Sequence, residues 1–251
     1  MDGQGRAALA ALTGASLIGL APIAIRLSEV GPHATNLWRF LFALPILALW
    51  ARLARPNPSP RQAGLIVVAG VLFGLEISLW AAALGLTTVM NATLLVNLTP
   101  VFAAGLGWLL LKERLNAPTM AGGAVALGGA VLLALARAQE TGAAAGGPQG
   151  GLGDMLAFSG AIFYAGYLMI VRALGRAVNV GAVMLWATLG AALVAAGASQ
   201  ALGENLLPRT LTGWAMLVAL GVVVHVGGQG LIAYGVARLP LAASTVLLWM
   251  Q

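Results

Sequence analysis

The sequence predicts an all-α fold: a polytopic bundle of transmembrane helices in inverted five-helix repeats, a ten-helix plan of which about nine helices lie in this chain. Three observations carry that prediction. The first is solvent: 60% of the residues are apolar and only 8% are charged, against roughly 25% charged in soluble domains, and the mean hydropathy is +0.94. The second is run length, because uncharged stretches recur at about the 20 residues that a helix needs to cross a bilayer. A transmembrane barrel would instead show short alternating segments. The third is an internal echo, described below.

The apolar runs read as helices over 7–25, 34–51, 63–85, 89–111, 118–136, 153–172, 180–201 and 213–236, with a ninth starting near 240. Arg6 ahead of Ala7 looks like a signal-peptide start, but Asp2 sits in the same stretch, so the first run reads as an uncleaved helix. Gly31-Pro32 ends the first joint, and Pro56, Pro58 and Pro60 mark the second. Thr87-Thr88 makes a short third joint, and Asn116-Ala117-Pro118 follows the fourth run. The glycine-rich stretch Glu140 to Asp154 reads as a flexible linker. The organisation expected is a first repeat over residues 1–137, a linker over 138–152 and a second repeat over 153–251. The ninth run stops at Gln251, too short to cross, so the chain reads as incomplete.

Charge placement orients the bundle. With the N-terminus cytoplasmic, Arg6, Arg52, Arg55, Arg61, Lys112, Arg114, Arg172, Arg176 and Arg238 fall inside, and only Arg26, Arg39, Arg137 and Arg209 fall outside. That bias is the positive-inside pattern. It also accounts for the net charge of +6 without a nucleic-acid partner, and makes the lipid bilayer the expected partner and an inner (plasma) membrane the expected location. The chain has no cysteine, which excludes disulfides, thiolate chemistry and cysteine metal sites. It carries no P-loop, H-E-x-x-H or G-x-S-x-G motif. The expectation is a non-enzyme without cofactor or metal that moves a small-molecule substrate by secondary or facilitated transport. The rival expectation is a membrane-embedded enzyme using Glu76 and His225.

The internal echo appears when the chain is slid over itself. One shift places Gly14 on Gly160, Ala15 on Ala161 and Arg26 on Arg172; a slightly larger one places Thr93 on Thr245, Leu95 on Leu247 and Glu76 on Gly228. Five spans per copy is an odd number, so the second copy enters the membrane upside down. Inverted repeats are an architecture of secondary transporters, whose substrate sites lie near the midplane between halves.

The stretch ALGLTTVMNATLLVNLTPVFAAGLGWLLLKERLNAPTMAGGAVALGGAVLL, Ala83 to Leu133, resembles the EamA-type unit of the drug/metabolite transporter superfamily. The short loop after span three, Pro100 within span four, Glu113 at its end, and Gly122, Gly123, Gly128 and Gly129 of span five carry the likeness. The resemblance implies ten helices in two inverted units, cytoplasmic termini, and a cargo of small metabolites such as amino acids, sugars or nucleotide conjugates. A narrower likeness is to YddG-type exporters of aromatic amino acids. Amino-acid export by alternating access is the expectation.

Polar groups in the spans nominate the site. Asn91, Thr93, Asn97 and Thr99 lie in an apolar run, where unsatisfied polar groups cost several kcal/mol each, and Pro100 removes a helix hydrogen bond. They line a wet cavity or serve as interhelical glue. Glu76 is an acid within a span, and Arg39, at comparable depth, is its expected partner; intramembrane ionisable groups face a cavity or each other. His225 and Gln229 lie four apart on span eight, beside Gly227, Gly228 and Gly230. Trp80, Tyr164 and Tyr167 are in-span aromatics whose faces suit a cationic or aromatic solute. The expected substrate contacts are Glu76, Trp80, Asn97, Tyr164, Tyr167, His225 and Gln229, with Pro100 and Arg39 in structural roles. Trp38, Trp50, Trp108 and Trp214 read as interfacial belt residues.

Overall fold

A computed structural model describes residues 3–112, 117–139, 149–174 and 177–239. Every regular element among them is helical. The helices are α1 (Gly3–Ile18), α2 (Ala21–Arg26), α3 (Pro32–Leu53), α4 (Pro60–Leu86), α5 (Val89–Val96), α6 (Thr99–Leu111), α7 (Ala117–Gln139), α8 (Gly150–Leu174), α9 (Val180–Ala201), α10 (Leu211–Ala219) and α11 (Gly230–Val236). A π-helical stretch, Leu220–Gln229, joins the last two. Among the described residues, seven stretches are long and apolar enough to cross a membrane: Gly5–Ile25, Pro32–Leu53, Pro60–Leu86, Val89–Leu110, Gly150–Leu174, Val180–Ala201 and Leu211–Val236. The protein is a multi-pass membrane protein. α7 continues to Gln139 and α8 takes up the chain at Gly150, inside the stretch read as linker. Glu113 and the ninth run from near 240 lie outside the described residues.

Local chemistry explains the helix ends. Ser59 accepts from the Gln62 amide at 3.3 Å while the Ser59 amide donates to the Gln62 side chain at 2.8 Å, a reciprocal capping box. Asn179 accepts from the Ala182 amide at 2.7 Å to start α9. Its side-chain amide donates to the Pro56 carbonyl at 2.9 Å, and its backbone N–H to the same carbonyl at 2.8 Å. The 54–57 loop and the start of α9 are thereby tied at one end of the bundle.

At the other end, Leu202 stops α9 and Gly203 turns left-handed with φ 62°. The Glu204 amide reaches the Ser199 carbonyl at 2.9 Å and the Gly203 amide the Gln200 carbonyl at 3.1 Å, the pairing of a Schellman motif. That turn delivers the Glu204 carboxylate to the first turn of α3. It accepts from the Ala34 amide at 2.7 Å and meets His33 Nδ1 at 2.7 Å, where a helix N-terminus favours an anion. Gly31 leaves room for it, since a Cβ there would overlap the carboxyl group. Glu29 returns the favour, accepting from the Arg209 and Thr210 amides at 2.7 and 3.0 Å and from the Thr210 hydroxyl at the start of α10. These bonds hold Glu29 below the ordinary carboxylate range, the Thr210 hydroxyl first, then the two amides.

These ties fix direction. α3 begins where α9 ends and ends where α9 begins, so the two run antiparallel. α4 starts beside the 54–57 loop and finishes at Thr87, whose hydroxyl donates to Asp154 of α8 at 2.7 Å. α4 packs along both α8 and α9, α3 along α9 and the π stretch, and α1 along the π stretch and α11. The α4–α9 crossing is close because Gly70 and Gly74 of a G-x-x-x-G face Ala187, Gly190 and Ala191, the small-residue contact that membranes favour. α7 touches only α5 and α6 appreciably, and a Cβ at Gly122, Gly123, Gly128 or Gly129 would meet no described neighbour within 4 Å.

Candidate functional site

Three interruptions of helix geometry converge on one cavity. α1 gives way to α2 at Gly19-Leu20, just ahead of a proline at the start of α2. α5 gives way to α6 at Asn97-Leu98, ahead of Pro100. The third is the π stretch of Leu220–Gln229, a geometry often found at functional sites. Backbone freed from its regular bonds at membrane depth is tolerated where protein or a wet cavity surrounds it.

The cavity holds about 100 Å³. Ile18, Gly19 and Ala21 line it from the first break, Thr93, Val96 and Asn97 from the second, and Gln229 from the π stretch. α3 contributes Arg39, α4 contributes Phe73, Glu76, Ile77 and Trp80, and α8 contributes Tyr164. Glu76 stands about 15 Å from the Leu86 end of α4, near the middle of a hydrocarbon layer of about 30 Å. Glu76 and Arg39 are buried, and Arg39 is the charge that acts on Glu76. They do not form an ion pair within 4 Å, as His33 and Glu204 do. The Arg39 Nε has no hydrogen-bond partner.

Beside the cavity lies a packed aromatic group. Tyr164 and Tyr167 stack with centroids 5.8 Å apart, and Phe73 meets Tyr167 at 5.0 Å. Phe40 and Phe73 enclose the His225 ring at 5.0 and 6.0 Å. Phe73 and Tyr167 sit about one turn farther from the Thr87 end than Glu76 and Tyr164 do, so this group closes the cavity toward the 54–59 loop.

Of the residues nominated from sequence, Glu76, Trp80, Asn97, Tyr164 and Gln229 come together on the cavity wall. Arg39, expected in a structural role, joins them there. Tyr167 and His225 stand behind the wall. The Tyr167 hydroxyl accepts from Gln229 Nε2 at 3.3 Å, and His225 Nε2 meets the Thr188 hydroxyl at 2.8 Å while its Nδ1 has no partner. Glu76 and His225 are therefore not hydrogen-bonded directly to one another, the closer of the two contacts that the enzyme reading could use. Pro100 sits in the first turn of α6 at the break it imposes. Thr99 bonds back to the Val96 carbonyl at 2.6 Å, Asn91 is buried, and Thr93 faces the cavity. Of the expected belt residues, Trp50 packs on Gly181 and Gly230, and Trp38 is edge-on to Trp214 at 4.8 Å.

Sequence reading missed Phe73, the Gly19 break and the His33–Glu204 pair. The first carried no signal beyond its apolar character. A proline at position 22 marked the second. The third joins residues too far apart in the chain for any local pattern.

Comparison with known proteins agrees with this architecture. An uncharacterized transporter of Archaeoglobus fulgidus is 34% identical over 116 residues, covering 44% of this chain and 39% of that relative. The chain thus matches well under two thirds of its relative's length. A solved structure described only as "Crystal structure of protein" superposes with a TM-score of 0.70 at 24% identity, over 97% of this chain and 83% of that one, which shows a shared fold. The EamA-like transporter family matches residues 5–135, the half of the chain that supplies both proline-associated breaks, Glu76 and Arg39, and on that match the chain belongs to the EamA-like transporter family.

Proposed function

We propose that this membrane transporter carries amino acids, aromatic ones foremost, by alternating access between two inverted five-helix units. One observation carries the substrate class: Glu76 and Arg39 face the same cavity without pairing to each other. A carboxylate and a guanidinium held apart are complementary to the ammonium and carboxylate of a zwitterion, and the arginine fork suits a carboxylate. The aromatic walls, Phe73, Trp80 and Tyr164, suit a ring-bearing side chain. This is the specificity of YddG-type exporters.

Reciprocal packing supports the inverted repeat. The sequence echo matches Gly14 with Gly160 and Glu76 with Gly228. In the fold, a Cβ at Gly14 would strike the Gly228 carbonyl, and one at Gly160 would touch Glu76 Cγ at 3.7 Å. Each matched residue thus contacts the counterpart of its own partner's neighbour, as two-fold pseudosymmetry requires. The chain bias of arginine and lysine supports a cytoplasmic N-terminus and an inner-membrane location.

A cavity of about 100 Å³ has room for several waters but lies below the roughly 300–1,000 Å³ of small-molecule sites. Loading therefore requires movement. On this reading, release of the Glu204 and Glu29 caps opens the Thr87 end, separation of the aromatic group opens the other, and the breaks at Gly19-Leu20 and Asn97-Leu98 act as hinges. Glu76 and Arg39 hold the two charges of the substrate while the barriers exchange.

Counterflow of labelled phenylalanine and tryptophan in proteoliposomes tests the proposal. Saturable flux is expected, with Glu76→Gln and Arg39→Gln each lowering it at least about tenfold, the effect of losing one charge-assisted contact of about 1.4 kcal/mol or more. Absence of saturable flux across a panel of amino acids would reject the substrate class, and absence across sugars and nucleotide conjugates as well would reject transport.

A further inference from the structure

At the end of the bundle that carries the 54–57 loop, an open groove of about 720 Å³ runs between α3, α4 and α9. We propose that it is a binding site for one anionic glycerophospholipid, with the headgroup phosphate at Arg52 and Asn57 and an acyl chain along Ala63, Gly64, Val67 and Trp186.

The groove exists because of a size difference between equivalent positions of the two halves. Trp38 and Trp186 are each the seventh residue of their helices, α3 and α9, which run antiparallel. Ala63 and Trp214 are each the fourth residue of α4 and α10. At one end Trp38 packs on Trp214 and Phe42, with centroids 4.8 and 5.5 Å away, and its indole N–H donates to the Leu206 carbonyl at 2.6 Å. At the other end Trp186 faces Ala63, and a Cβ at Gly64 would meet nothing within 4 Å. The space filled by an indole at one end is left as a channel at the other, of a volume within the range of small-molecule sites.

Charge selects the occupant. Arg52 lines the mouth, and Arg55 and Arg61 are exposed beside it. The described carboxylates, Glu29, Glu76, Asp154 and Glu204, all lie elsewhere: in the midplane cavity or at the opposite end. A basic mouth on an apolar channel at the membrane surface, with no acid beside it among the described residues, matches a phosphate joined to acyl chains. Basic pockets between helices on the cytoplasmic side bind anionic headgroups by this chemistry.

The test is native mass spectrometry of the purified protein titrated with phosphatidylglycerol or phosphatidylcholine of the same chain length. One phosphatidylglycerol should be retained at least about fivefold more strongly than phosphatidylcholine, the effect of one arginine near an anionic headgroup. Arg52→Gln, a change at an exposed side chain, should bring the two lipids to parity. Ala63→Trp should fill the channel and remove the tightly held lipid while Arg52 stays in place. Equal retention of the two lipids by the unaltered protein would overturn the proposal, as would a preference that survives both substitutions. The measurement involves no transport, so its outcome is independent of the substrate proposed for the midplane cavity.

Discussion

Replacing Gly70 by alanine tests whether close helix approach across the α4–α9 crossing holds the halves together. A Cβ at Gly70 would stand 2.6 Å from the Ala187 carbonyl carbon and 2.7 Å from its Cα, with the Ala187 oxygen closer still. Carbon atoms prefer about 3.5–4.0 Å, and the obstacle is backbone, which cannot rotate away. The two helices must part by roughly 1 Å, and a gap of about 0.5–1 Å forfeits a quarter to a half of each contact along the crossing. Helix–helix van der Waals packing drives association in lipid, so the loss is not offset by solvent. Overpacking of this kind costs about 1–3 kcal/mol, partly countered by the helix preference of alanine, at most ~1 kcal/mol. At about 2–4 °C per kcal/mol, the melting temperature of the detergent-solubilised protein should fall by several degrees. Gly197→Ala, in the same partner helix α9 but with nothing within 4 Å of its Cβ, should leave it unchanged or raise it slightly. If the two variants melt alike, or if Gly70→Ala melts with the unaltered protein, the reasoning fails.

Other outcomes follow from the caps and the buried polar groups. Glu204→Ala removes the acceptor of the Ala34 amide and the partner of His33. Ser78 lies behind that pair, its carbonyl 3.2 Å from His33 Nε2, and because the chain has no cysteine a reporter Ser78→Cys can be read alone; its modification by a membrane-impermeant thiosulfonate should accelerate about tenfold or more, since bonds to a charged group contribute about 1.5–3 kcal/mol and 1.4 kcal/mol is tenfold. Unchanged labelling would show that Glu204 does not guard the Thr87 end. The Glu29 cap should be fully formed above the ordinary carboxylate value of 4.5, because its pKa in the folded protein is lowered, and should weaken as pH falls below 4.5 toward that lowered value. The protection of the Arg209 and Thr210 amides, taken against their intrinsic exchange rate, should fall over that interval, and Glu29→Gln should abolish that fall. Thr188→Val leaves both nitrogens of His225 without a partner and should cost about 1–3 kcal/mol of stability by thermal melting; Thr188→Ser should restore most of it.

How much was legible in the sequence depends on the range of the physics involved. The break at Asn97-Leu98 was readable because Pro100 removes a backbone donor wherever it sits, and the G-x-x-x-G of Gly70 and Gly74 was readable because helical spacing puts both on one face. Thr93 and Asn97, four apart, share a face by the same periodicity, and both reach the cavity. The π stretch was not readable: its residues are apolar and glycine-rich, like those of neighbouring regular helices, and an i→i+5 register is rare. His225 was nominated for its polarity and Tyr167 for its ring face, yet Thr188 and Gln229 engage them behind the wall. Polarity in an apolar run says that a partner exists but not which one.

The sequence by itself determined the solvent and the spans, since a hydrocarbon layer demands long uncharged helices whatever they pack against. It also determined the helix starts with local caps, at Ser59 and Asn179, and the break ahead of Pro100, because caps and prolines act within a turn or two of chain. Only the tertiary structure decided that Arg39 and Glu76 share a cavity with Gln229, that Glu204 caps α3 and Glu29 caps α10, and that Trp186 faces an empty channel where Trp38 faces an indole. Those outcomes rest on contacts between residues tens to well over a hundred positions apart, and such contacts are set by how helices cross, which no local pattern encodes.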